Sequence, residues 1–91
     1  MMIKNLDELV EVYKYRCMKL EAMDQRYLND RGRAAIQAYR DIIYRSYLHD
    51  DLLMMSLDND FLNLFRSKDK DPEYYLILHS CIRDIALALK E

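Results

Sequence analysis

Five residues near the middle of this chain, Arg33, Arg40, Tyr44, Arg45 and Tyr47, combine two side-chain types that often carry recognition. A guanidinium offers five fixed donors to a carboxylate or phosphate. A phenol offers a large rigid apolar face with one polar end. On nucleic acid, arginine pairs with phosphate and tyrosine stacks on bases. In protein interfaces the same two types recur as hot spots. Arg40, Tyr44 and Tyr47 are spaced by four and three, so one helix would present them together. Residues 24–47 hold five arginines against three aspartates, whereas 48–73 hold three basic against seven acidic residues. The basic block fits an acidic patch on a protein. The alternative is a nucleic acid met by the Arg/Tyr-rich helix 26–47. Asp30 and Asp41 dilute the positive field, and no helix-turn-helix pattern accompanies it. The protein reading is therefore preferred.

The remaining reactive side chains are scattered. Cys17 and Cys81 are the only thiols, and both fall in apolar stretches with no evident base. They read as buried, reduced cysteines of a cytosolic protein rather than as nucleophiles. His79 and Cys81 are two residues apart and point in different directions on a helix. His49 with Asp50 or Asp51 gives two metal ligands at best. Asp58-Asn59-Asp60 begins like a calcium loop, but Asn63 stands where the loop needs glycine and Asp69 where it needs glutamate. One glycine leaves no phosphate-binding loop. The sequence thus predicts no enzyme, no cofactor and no metal.

The elements that position these residues follow from the spacing of apolar positions. A content of one Gly and one Pro is too poor in turn residues for a sandwich or barrel. The sequence predicts an all-α fold, a single domain over residues 1–91 formed by a compact bundle of about four helices, mostly antiparallel. Asn5 and Glu8 have capping-box spacing. From there Leu6, Leu9, Tyr13, Cys17, Leu20, Met23 and Tyr27 form one apolar stripe. A turn is predicted at 28–32, with Asn29 or Gly32 taking positive φ and Asp30 capping the next helix. The alternative is one kinked helix through the first half. The second helix is predicted over 31–48, burying Ile36, Tyr39, Ile43 and Tyr47 with Ala35 and Ile42 alongside. Asp50 or Asp51 caps a third helix over 51–66, or two short helices if Asp58-Asn59-Asp60 interrupts it. Ser67-Lys68-Asp69-Lys70 is a charged connection.

The last helix has the strongest signals. Asp71 caps it, Pro72 fits its first position, and Glu73 meets the positive end of its dipole. It runs to about Lys90. Tyr75, Leu78, Ile82, Ile85, Ala86 and Leu89 make its core stripe. Leu76 and Leu87 fall with Ser80, Arg83 and Asp84 on the opposite side, as exposed leucines or as a homodimer contact. Met54 and Met55 are adjacent, so at least one turns inwards.

The apolar class makes up 52% of the 91 residues, which leaves surplus for an interface. The formal net charge of −2 gives no general pull towards nucleic acid or membrane. Met1 to Glu8 turns acidic at once and lacks a signal peptide's apolar segment. A cytoplasmic protein is expected, with no membrane association. The functional expectation is a small non-enzymatic adaptor, inhibitor or regulator, homodimeric, acting through a preformed helical surface.

Overall fold

The computed structural model describes residues 5–67 and 71–89. Four α-helices account for most of them: α1 (Leu6–Glu21), α2 (Asp30–Arg45), α3 (Asp50–Arg66) and α4 (Pro72–Leu89). Among the described residues there is no strand. The chain is an all-α bundle, with α4 touching the other three helices and α1 against α2. The predicted positions of Lys68, Asp69, Lys70 and Lys90 lie outside the described residues.

Each helix start has a local cause. The Asn5 side chain accepts the Glu8 N–H at 2.9 Å, satisfying an amide the helix cannot pair. Asp71 accepts the Glu73 N–H at 2.9 Å and the Tyr74 N–H at 3.4 Å. Such caps stabilise a helix by about 1 kcal/mol. At α2 the cap is Asn29, not Asp30, with the Gly32 N–H at 2.8 Å from its side-chain oxygen. At α3 the cap position is His49, which makes no side-chain capping bond. Asp50 and Asp51 lie inside the first turn, where they favour the dipole.

The first helix ends earlier than its apolar stripe predicts. Asp24 accepts the Arg26 N–H at 3.0 Å and holds the Arg26 guanidinium at 2.8 Å. This local bonding competes with helix continuation. A single 3-10 turn, Gln25–Tyr27, follows. Met23 and Tyr27 are consequently exposed rather than core residues. The two helices are separate, and no described residue has positive φ. Gly32 serves close approach instead: a Cβ there would lie 2.9 Å from Leu28 Cδ2, and Leu28 is buried.

The second helix is rotated and shortened relative to expectation. Its buried residues are Ala34, Ala35, Ala38 and Ile42. Small side chains let its backbone approach α1 and α4 closely. Ile36, Tyr39 and Ile43 are half-buried at its flanks, and Tyr47 lies beyond its end, exposed. The third helix is continuous through Asp58-Asn59-Asp60. Leu53 and Leu57 on its inner face outweigh the weak local preference of those three residues. Met54 is half-buried and Met55 is exposed. In α4 the fully inward positions are Leu78, Cys81, Ile85 and Ala88.

The core joins Leu9 and Tyr13 of α1, Ile42 of α2, Leu53 and Leu57 of α3, and Cys81, Ile85 and Ala88 of α4. Each large apolar side chain fully buried there contributes about 1.5–3 kcal/mol. Tyr13 stacks on Tyr39 with ring centroids 5.2 Å apart, and Phe61 stacks on Tyr75 at 5.0 Å. His79 tilts against Phe61 at 5.4 Å. No helix is long and apolar enough to cross a membrane among the described residues.

Candidate functional site

Two of the five recognition candidates meet in a groove between α1 and α2. Arg40 and Tyr44 line one wall of it, with Ile43. Lys14, Cys17, Met18 and Glu21 of α1 line the other. The groove has a volume of about 480 Å³. Met18 and Tyr44 are exposed, so its rims carry unburied apolar surface.

A fork of charge spans the groove. Arg40 donates through Nε to Glu21 Oε1 at 3.2 Å, and its NH2 lies 3.2 Å from Glu21 Oε2. The Cys17 thiol donates to the same Oε1 at 2.8 Å. The thiol and then the guanidinium hold the Glu21 carboxyl below the usual glutamate range. This contribution is complete above that range and is lost as acid protonates the folded carboxyl. Burial, followed by the Glu21 bond, pushes the Cys17 thiol up to about 11.

The other three candidates are placed elsewhere. Arg33 donates to the Gln25 carbonyl at 3.2 Å and lies 3.8 Å from Asp30, so it braces the turn before α2. Tyr47 projects from the bend after α2. Arg45 points inwards. It donates to Ser56 Oγ and the Asp41 carbonyl, both at 2.9 Å, and pairs with Asp60. The Asp41 carboxylate accepts from Tyr74 at 2.6 Å and from Gln37 at 3.1 Å. This half-buried polar network ties α2 to α3 and α4. Residue spacing placed Asp41 outside the core face, and nothing local revealed its Tyr74 partner 33 residues away.

Met18, Cys17 and Glu21 were also missed as site residues. The available signal was Met18 itself, an apolar residue off the main stripe of α1. Leu76 and Leu87 are both exposed on α4, with Ser80 and Arg83 between them in sequence. His49 is exposed beside the acidic start of α3. Among the described residues, no three His, Cys, Asp or Glu side chains converge as a metal site.

Cys17 and Cys81 are both buried free thiols. Burial is the main reason that Cys81 is also pushed up to about 11. Thiolate is therefore scarcer at both cysteines than at an ordinary thiol, and access is restricted as well. In native protein both cysteines are expected to react slowly with a disulfide reagent, then quickly in denaturant. Fast native labelling of either would contradict this placement.

Comparison with protein-family models, with curated proteins and with solved structures finds no match to this chain.

Proposed function

We propose that this chain is a non-catalytic protein-binding module, an adaptor or inhibitor, that presents the α1/α2 groove to another protein in the cytoplasm. The observation that carries the reading is the groove itself. Met18, Ile43 and Tyr44 supply an apolar lining, and Lys14 and Arg40 supply donors beside it. That combination suits a partner segment with an apolar anchor next to an acidic side chain. The apolar group would displace water from Met18 and Tyr44, and the carboxylate would meet the edge of the Arg40 guanidinium. Two buried free thiols fit a reducing compartment.

The state of the arginines favours a protein over a nucleic acid. Arg26, Arg33, Arg40 and Arg45 each face a carboxylate of the same chain, Asp24, Asp30, Glu21 and Asp60 respectively. Arg31 alone of that block shows no ion pair among the described residues, so the block presents little net positive charge to a phosphate backbone. A partner carboxylate would share Arg40 with Glu21.

A photoreactive amino acid in place of Tyr44 tests the reading in the source cell's lysate. The expected product is one discrete adduct that survives nuclease. A smear that nuclease removes would instead support nucleic-acid binding.

A further inference from the structure

The outer side of α3 carries several exposed large apolar residues among its polar ones, where a one-faced helix would be polar throughout. Leu53 and Leu57 are fully buried on the inner side. On the outer side Leu52, Met55 and Leu62 remain 52%, 63% and 45% exposed. With Asn59 they follow one another at intervals of three, four and three. That is the spacing of a seam that packs on another helix, with one polar position inside it. The helix of the same chain that α3 mainly packs against is α4, on the inner side.

We propose that two copies of this chain pair through the outer faces of α3, with the two helices antiparallel. The charges at the two ends of the face argue for a second copy and for its direction, against the mutual repulsion of Asp58, which is exposed beside the same face. Asp51 stands at the start of this face and Arg66 at its end. Both are exposed, and neither side chain has an ion pair or hydrogen bond among the described residues. An antiparallel copy brings each Arg66 towards the other copy's Asp51, making two equivalent attractions about a two-fold axis. It also opposes the helix dipoles favourably. A parallel copy would set like charges together. In the antiparallel register Leu52 meets Leu62 of the second copy, and Asn59 lies beside Met55. Leu76 and Leu87 on α4 make a poorer seam, because Ser80 and Arg83 stand between them. The pairing stands independently of the α1/α2 groove, since either contact can exist without the other.

A single helix of 17 residues is about 25 Å long. A contact of that length lies at the small end of stable interfaces, so dissociation in the micromolar range is expected. The test is sedimentation velocity of the full chain from about 1 to 300 μM, a range chosen to span that affinity. The mass should rise from 11.0 kDa towards twice that value. Met55→Glu with Leu62→Glu should weaken association at least about tenfold and keep the helical circular dichroism, because both side chains are exposed. Asp51→Arg and Arg66→Asp should each weaken it several-fold, and the double swap should regain most of the loss. The double swap carries both unfavourable dipole changes, so recovery separates pairing from mere helix damage. Leu76→Glu with Leu87→Glu should leave association unchanged. A monomer throughout the range would overturn the proposal. So would association that withstands the Met55/Leu62 change, or that is lost only with Leu76 and Leu87. Failure of the charge swap to restore pairing would overturn the antiparallel geometry.

Discussion

Tyr13→Ala is expected to lower unfolding stability by about 3–5 kcal/mol, whereas Tyr13→Phe should stay within about 1 kcal/mol of the native protein or exceed it. Tyr13 is completely buried at the junction of α1, α2 and α4, stacked on Tyr39. Removing its ring opens a large void that the surrounding helices cannot fill. Its hydroxyl is a different matter. It has no well-aligned hydrogen-bond partner, and the neighbouring Cys81 sulfur is a weak one. Burial holds the phenol protonated, far above its ordinary range. The ring therefore stabilises the fold and the hydroxyl does not. Urea unfolding followed by circular dichroism measures both variants. An equal loss in the two would show that the hydroxyl is well bonded after all. Small domains have margins of about 5–15 kcal/mol, so the alanine variant should lose a large share of its stability and unfold at a clearly lower urea concentration.

Arg45→Ala should cost about 1–3 kcal/mol and loosen α3 from α2. One guanidinium serves Ser56, Asp60 and the Asp41 carbonyl together. Truncation removes a shared donor from all three and leaves the half-buried Ser56 hydroxyl with the least access to a replacement. Asp60 is 41% exposed, so solvent screens part of the loss and keeps it below that of a fully buried pair. Arg45→Lys should recover little, because an ammonium lacks the planar fork that reaches three acceptors. Amide exchange gives the localised readout. Protection should fall first in α3, while α1 retains its own. Uniform loss across all four helices would mean that the network does not act locally.

The sequence made the elements legible but not their rotation. Asn5, Asp71 and Pro72 marked helix starts correctly, because capping depends on nearest neighbours. The face of α2 was misread because large apolar residues signal burial more loudly than alanines do. Ala34 and Ala38 are buried because α2 is drawn close to two neighbours, and closeness is a tertiary property. Arg45 looked like a surface partner of Tyr44 and Tyr47, yet two of its three acceptors, Ser56 and Asp60, lie on a helix that begins beyond them. Asp24 hid the end of α1, since its competing bond to Arg26 interrupts an apolar spacing that continues unbroken to Tyr27. Of the recognition residues, the Arg40–Tyr44 pair was readable from helical spacing. Met18 and Glu21, which complete the groove, come from a helix whose packing angle no local pattern encodes.

The most direct measurement is parallel capture from nuclease-treated lysate of the source cell by the tagged native chain and by a Met18→Glu, Tyr44→Glu variant. Both replaced side chains are exposed, so the variant should fold with native helical content. The groove account predicts that the native chain retains one stoichiometric protein and that the variant loses it. Equal retention of that protein by the folded variant would contradict binding through α1 and α2.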